Sequence, residues 1–112
     1  MLTQPRHDVT HYRYTVFWSK EDGEFVGTVA EFPSLSFLDE SQTRALEGIE
    51  ELVADVIEDM LNSGEEIPVP LSEREYSGNI RLRVTPKKHR ELAVRAQEQG
   101  VSLNRFLNSL LP

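Results

Sequence analysis

The chain has 112 residues, 38% of them hydrophobic and none of them cysteine, which suits one ordinary domain or two very small ones and excludes disulfide and thiolate chemistry. Its formal charge of −7 is uneven: residues 1–75 hold 5 Lys and Arg against 17 Asp and Glu, whereas residues 76–112 hold 7 against 2. This asymmetry predicts two surfaces with different partners, and only the basic one suits nucleic acid.

The first residues of the chain carry no clear structural pattern. Residues 1–11 show no periodicity, and we expect an irregular lead there. They also lack a basic-then-apolar signal pattern, and no apolar run approaches the length of a membrane span, so we expect a soluble, cytoplasmic protein.

An antiparallel sheet is predicted next. Residues 12–18 are rich in aromatic and β-branched side chains and predict a strand, with Phe17 and Trp18 expected in the core. Asp-Gly at residues 22–23 is a turn signal, and residues 24–31 alternate again, so the two segments should form a hairpin. A third, short strand is predicted after Pro33, over residues 34–38.

A long amphipathic helix should follow, with Ser41 as its N-cap and Gly64 as its stop. Its apolar positions keep the spacing of one helical face over almost five turns. They are Ala45, Leu46, Ile49, Leu52, Val53, Val56, Ile57, Met60 and Leu61. We therefore predict a β-β-β-α domain within residues 1–66, followed by a Pro-containing linker over residues 67–76.

The last part of the chain predicts a strand and two helices over residues 77–112. Thr85 should cap the first helix with Pro86 at its first position, and Gly100 should end it. Its inner face is predicted to be His89, Leu92, Ala93 and Ala96. Ser102 should cap the second helix, whose apolar positions are Leu103, Phe106, Leu107, Leu110 and Leu111.

The predicted strand at residues 79–84 is the sharpest functional signal. Its apolar residues alternate with Asn79, Arg81 and Arg83, so one strand face presents an amide and two guanidiniums. These side chains suit base edges in a major groove, and we predict DNA base contacts for them. The alternative is a solvated strand face that is kept charged against aggregation.

A lone strand leaves its backbone groups unsatisfied, which predicts a homodimer that pairs the residue 79–84 strands of two chains. Further association of dimers into a tetramer stays open. The start of the second helix, at Ser102, Leu103 and Asn104, is expected to contact DNA phosphate, with simple capping as the alternative. Lys87 would add sequence-independent attraction.

The long helix carries a row of carboxylates opposite its apolar stripe. Glu47, Glu51, Asp55 and Glu58 are predicted to attract a basic protein partner. The alternative is the ordinary solvated side of a helix.

We expect no catalytic residue, no metal site and no cofactor. Metal-dependent hydrolysis needs several carboxylates that converge on cations, and no such set is evident in the sequence. His7, His11 and His89 lack the spacing of metal ligands, and we expect no acidic or nucleophilic partner for them.

Two parts of the sequence resemble known modules. Residues 79–84, the Thr85-Pro86 pair and residues 100–107 resemble a ribbon-helix-helix DNA-binding module. The front half resembles the HicB antitoxin family, through residues 12–18, 22–26, 31–33, 45–46 and 64–68. In that family a partial ribonuclease-H-like domain precedes a ribbon-helix-helix.

The resemblance implies an α+β antitoxin of a type II toxin–antitoxin pair. Such a protein sequesters a HicA-like mRNA-cleaving toxin and represses its own operon by binding operator DNA through a dimeric ribbon-helix-helix. Two alternatives stay open: an orphan ribbon-helix-helix regulator with a ligand-sensing N-terminal domain, or a protein-interaction module with no DNA target.

Overall fold

A computed structural model of the chain describes residues 7–112. The chain divides into two compact units, Met1–Glu75 and Tyr76–Pro112. The elements are, in chain order, β1 (Tyr14–Ser19), β2 (Glu24–Val29), β3 (Ser36–Asp39), α1 (Gln42–Asn62), a 3₁₀ turn (Leu71–Glu73), α2 (Pro86–Glu98) and α3 (Leu103–Leu110). The protein is therefore α+β, and the predicted β-β-β-α order of the first unit is confirmed. Of the predicted irregular lead, residues 1–6 lie outside the described residues.

The three strands form one antiparallel sheet in the order β1-β2-β3. The predicted hairpin is present, and its turn is closed by a 2.9 Å hydrogen bond from Gly23 N–H to the Ser19 carbonyl. Gly23 has a φ of 65°, a conformation that glycine adopts without steric cost. In the register, Val26 lies opposite both Phe17 and Leu38, so these three side chains form a row across the sheet.

Helix α1 begins where the sequence predicts. Ser41 is the N-cap, and its Oγ accepts a 3.3 Å hydrogen bond from Arg44 N–H. The Ser41 N–H donates to Asp39 Oδ1 at 2.8 Å, which ties the end of β3 to the helix. Gly64 follows the helix with a φ of 69°, and the Glu65 N–H returns to the Met60 carbonyl at 2.9 Å. These bonds satisfy backbone groups that a helix end leaves without partners.

The core of the first unit lies between α1 and one face of the sheet. Ile49, Val53 and Ile57 of α1 are fully buried there, together with Val29. A Cβ built on Gly27 would lie 2.7 Å from the Ala45 carbonyl oxygen, so the close approach of α1 to β2 requires glycine. The predicted apolar stripe is confirmed except at its last position, which is wrong: Leu61 is 56% exposed.

The segment after α1 packs on the first unit. Ile67 lies against the core, and the Tyr12 hydroxyl donates a 2.7 Å hydrogen bond to the Pro68 carbonyl. At the 3₁₀ turn, Leu71 N–H donates to the Glu31 carboxylate at 3.0 Å. Much of the stretch expected to be a linker is thus held by contacts that are distant in sequence.

Both helices of the second unit begin as predicted, and α2 also ends as predicted. Leu111, predicted as an apolar position of the second helix, follows α3. Thr85 Oγ1 accepts from Lys88 N–H at 3.2 Å, with Pro86 at the first helical position. Gly100 has a φ of 67° and follows α2, and Ser102 Oγ accepts from Arg105 N–H at 3.1 Å.

The small interior of the second unit is built around Ala96 and Phe106, which are both 2% exposed. The Arg95 guanidinium lies 5.4 Å from the centroid of the Phe106 ring, a cation–π distance. Two residues predicted for the inner face, His89 and Ala93, are exposed in the single chain. Two short helices do not enclose enough volume to cover them.

Candidate nucleic-acid and partner surfaces

The segment before α2 carries the predicted DNA-contacting side chains. Asn79, Arg81 and Arg83 are all exposed. The Asn79 N–H donates to Ser77 Oγ at 3.1 Å, just after Gly78 with its φ of 83°. Within residues 7–112 the segment joins no sheet, so the predicted strand has no partner within this chain.

The alternating apolar residues of this segment are also exposed. Ile80 is 86% and Leu82 is 70% exposed, although both are large and apolar. They line an open groove together with Gly78, Asn104, Leu107, Asn108, Leu110 and Leu111. A second groove shares Leu82 and Leu107 with the first and is also lined by Arg83, Val84, His89, Leu92 and Leu103. The unit therefore presents a continuous apolar surface that its own chain leaves open to solvent.

The predicted phosphate-binding residues lie at the start of α3. Ser102 and Asn104 are exposed, and Leu103 is half-buried with its side chain in the second groove. The Ser102 hydroxyl accepts from Arg105 N–H as a helix cap. Backbone N–H groups at a helix start can also meet an anion, so capping and phosphate contact are compatible here.

A basic surface lies along α2. Lys87, Arg90 and Arg95 line a shallow depression together with Glu91 and Val94. Lys87 is exposed in the first turn of the helix. These cations supply the positive charge that attraction to a phosphate backbone requires.

The predicted partner-binding carboxylates lie together on α1. Glu47, Glu51, Asp55 and Glu58 are all exposed, and their spacing places them on one side of the helix. The neighbouring Glu50 is half-buried. This side carries a high density of negative charge, as expected for either the predicted contact surface or a solvated helix face.

The expectation that Phe17 and Trp18 belong to the core is wrong. Phe17 is 48% and Trp18 is 55% exposed. Side chains alternate along β1, so Phe17 lies on the sheet face that α1 does not cover. Trp18 lies at the hairpin end of the strand, edge-on to Phe25, with ring centroids 5.0 Å apart. Apolar residues at consecutive positions of β1 put apolar side chains on both faces of the sheet. This pattern was the signal in the sequence for an apolar surface outside the core.

One polar residue that sequence reasoning missed is Glu31. The residue is 9% exposed, and its carboxylate accepts hydrogen bonds from the N–H groups of Arg13 and Leu71, each at 3.0 Å. Burial by itself raises the pKa of Glu31, but the backbone N–H groups of Leu71 and Arg13 outweigh it and hold the pKa below its ordinary value. These bonds join distant segments, so Glu31 has a structural role.

Close to these bonds, His11 and Glu73 interact. The expectation that His11 has no acidic partner is wrong: its Nδ1 bonds to Glu73 Oε1, and its Nε2 lies 3.6 Å from Asp8 Oδ2. The hydrogen bond to the Glu73 carboxylate and the charges of Glu73 and Asp8 raise the pKa of His11. Among the residues that the structure describes, no three His, Asp or Glu side chains are grouped to hold a metal ion. No helix of the described residues is both long and apolar enough to span a membrane.

The comparisons with known proteins bear on the later part of the chain. Residues 61–111 match the model of the HicB family, an antitoxin family. Neither the curated proteins nor the solved structures contain a significant match to the chain. The matched residues run from the end of α1 through the exposed segment and both helices of the second unit. The resemblance to the HicB family is therefore confirmed over residues 61–111.

Proposed function

We propose that the chain is a HicB-type antitoxin that sequesters a HicA-like mRNA-cleaving toxin and represses its own operon. Its residues 77–112 act as a dimeric ribbon-helix-helix on operator DNA, and residues 1–66 bind the toxin. The observation that carries the proposal is the exposed apolar segment at residues 80–84, which lies before two capped helices inside the stretch that matches the family.

Dimerisation supports the proposal on physical grounds. Large apolar side chains that are 70% or more exposed, such as Ile80 and Leu82, are costly in water unless another surface covers them. Pairing the residue 79–84 segments of two chains would satisfy their backbone groups and cover both grooves at once. In a pair, Asn79, Arg81 and Arg83 of both chains would share one face of a two-stranded ribbon, which fits a major groove.

The dimer has a direct test in the single substitution Leu82→Glu. It would place a carboxylate at the centre of the proposed interface, and burying that charge unpaired is strongly unfavourable. Sedimentation equilibrium should report a dimer for the wild type and a monomer for Leu82→Glu. The control Leu61→Glu places the same charge at an exposed apolar position of α1 and should stay dimeric. A monomeric wild type at tens of micromolar would contradict the proposal.

The DNA contacts are assigned by role. Asn79, Arg81 and Arg83 contact bases, while Ser102, Leu103, Asn104 and Lys87 contact phosphates, Leu103 through its backbone. Base contacts carry sequence preference, and phosphate contacts carry affinity without preference. Substitutions in the two groups should therefore have different effects.

The test uses fluorescence anisotropy with DNA from directly upstream of the gene and a scrambled duplex of the same composition. Arg81→Ala/Arg83→Ala should weaken binding to the upstream DNA by tenfold or more and abolish the preference over scrambled DNA. The charge-matched control, Lys88→Ala/Arg90→Ala, should weaken binding to both duplexes alike. Affinity should also fall steeply between about 50 and 200 mM salt.

Two outcomes separate the alternatives. A flat salt response with no preference for the upstream DNA would favour a protein-interaction module without a DNA target. Specific DNA binding by a protein that binds no small basic protein encoded beside it would favour an orphan regulator. The predicted partner-binding carboxylates Glu47, Glu51, Asp55 and Glu58 would attract such a basic partner over a distance and speed its encounter.

A further inference from the structure

The sheet of the first unit has an apolar row on the face that α1 does not cover. Phe17, Val26 and Leu38 are directly opposite one another on β1, β2 and β3. Gly27, the next residue along β2, faces α1, so the alternation of the strand turns Val26 to the other side. Three neighbouring strands thus contribute one side chain each to a row about 10 Å long.

The two outer members of the row are solvent-exposed. Phe17 is 48% and Leu38 is 39% exposed, while Val26 between them is 9% exposed. Neighbouring cross-strand side chains lie close enough to shield the middle one, which leaves the two outer residues as projecting apolar groups. Phenylalanine is enriched at the cores of protein interfaces, and the exposed leucine adds apolar area to the same row.

Carboxylates flank one side of the row. Glu24 shares the strand face of Val26, and the adjacent hairpin turn adds Glu21 and Asp22. The last residue of β3, Asp39, is opposite Phe25 and so lies at the same hairpin end of the sheet. The exposed Glu40 follows it. An apolar centre with a charged rim on one side is typical of protein–protein interfaces.

The charge of the surface selects the kind of partner. Exposed aromatic residues on a sheet can also stack on nucleic-acid bases, but residues 1–75 carry a net charge of −12, which repels a phosphate backbone. A cationic protein has the opposite preference, because it gains both apolar contact and charge attraction.

We propose that the row Phe17–Val26–Leu38 is the anchor surface for a cationic protein, with the carboxylates at the hairpin end as its electrostatic rim. The inference rests on the proposed function for the identity of the partner: in a HicB-type antitoxin, the cationic protein is the HicA-like toxin. It differs from the prediction made from the sequence, which places the toxin on the acidic side of α1. Because α1 covers the opposite face of the sheet, one small protein cannot be anchored on both surfaces at once.

The test measures the dissociation constant of the full-length chain for the small basic protein encoded beside it, by titration calorimetry. Phe17→Thr/Leu38→Thr removes both anchors and keeps residues that favour strands. We expect at least tenfold weaker binding for this variant. Leu61→Ser, which removes an equally exposed apolar side chain from α1, should bind like the wild type.

Further variants keep the outcome distinct from a folding defect. Phe17→Arg leaves Leu38 in place and adds a cation to the surface, so it should weaken binding of a cationic partner at an unchanged melting temperature. Glu47→Gln/Glu51→Gln should change the dissociation constant far less than the double threonine variant. Circular dichroism should show the same helix and strand content in all of the variants.

Each alternative result has a defined meaning. Equal binding by Phe17→Thr/Leu38→Thr and the wild type would overturn the anchor surface and leave the antitoxin function standing. A change of oligomeric state in that variant would make the row an interface between copies of this chain and overturn the assignment to a partner. A wild type that binds no basic protein would overturn both the anchor surface and the proposed antitoxin function.

Discussion

Glu31 and Leu71 are 40 positions apart in the chain, yet the Glu31 carboxylate accepts a 3.0 Å hydrogen bond from the Leu71 N–H. The same carboxylate accepts from the Arg13 N–H, at 3.0 Å, so it joins three segments of the first unit. Arg13 precedes β1, and Leu71 is the first residue of the 3₁₀ turn. A single side chain therefore satisfies backbone donors that regular structure leaves without partners.

We expect Glu31→Gln to destabilise the first unit by about 2 kcal/mol, because it replaces charge-assisted hydrogen bonds and turns an amide NH₂ toward backbone donors. Urea denaturation followed by circular dichroism measures the loss. Glu21→Gln, which removes the same charge from the exposed hairpin turn, is the matched control and should change the free energy of unfolding by less than about 0.5 kcal/mol. Equal losses in the two variants would mean that the Glu31 bonds contribute nothing beyond charge.

The same carboxylate predicts how stability depends on pH. The pKa of Glu31 is lower in the folded chain than its ordinary value of 4.5, so its contribution is complete above about pH 4.5 and is lost as the pH falls through the folded value. The difference in unfolding free energy between the wild type and Glu31→Gln should be constant from pH 7 to pH 5 and shrink below about pH 4.5. A difference that persists unchanged at pH 3 would contradict this assignment.

His11 should titrate above its ordinary pKa of 6.5, because the Glu73 hydrogen bond and the charges of Glu73 and Asp8 favour the imidazolium. A raised pKa means that the contact stabilises the fold fully below pH 6.5 and less as the pH rises through the folded value. An NMR titration of the His11 ring protons measures the pKa directly. Glu73→Gln should return it toward 6.5, while the neighbouring Glu75→Gln, which leaves the hydrogen bond intact, should shift it far less.

Two glycines of the first unit should respond very differently to alanine. Gly27→Ala would place a Cβ 2.7 Å from the Ala45 carbonyl oxygen, and because backbone must move we expect a loss of about 2 kcal/mol or more. Gly48→Ala would meet the ring of Phe37, which is 37% exposed and can rotate outward, while the helix gains about 1 kcal/mol of propensity. Thermal melting should therefore rank Gly27→Ala well below Gly48→Ala. The reverse order would show that α1 yields more readily than the Phe37 ring.

The features predicted correctly from the sequence are those that neighbouring residues decide. Ser41, Thr85 and Ser102 each cap a helix through a bond to a residue three positions later, so the short-range pattern suffices. The Asp22-Gly23 turn and the stripe of α1 are local in the same sense.

The errors arise where distant segments decide. The single helix packs on one face of the sheet, so Phe17 on the other face stays exposed although its strand looks like a core strand. The contacts of residues 67–71 depend on Tyr12 and Glu31, and Pro-containing extended sequence gives no sign of them. The segment at residues 79–84 joins no sheet within residues 7–112, so its pairing with the same segment of a second chain stays a prediction.

The exposure of Ile80 and Leu82 has a consequence for how the protein responds to dilution. Whatever covers these side chains binds the folded second unit and not the unfolded chain, so it stabilises that unit by mass action. If the cover is another copy of the chain, each tenfold fall in abundance removes part of that stabilisation. The small interior around Ala96 and Phe106 would then have to hold the unit together by itself, so the melting temperature of the second unit would track the concentration of the protein.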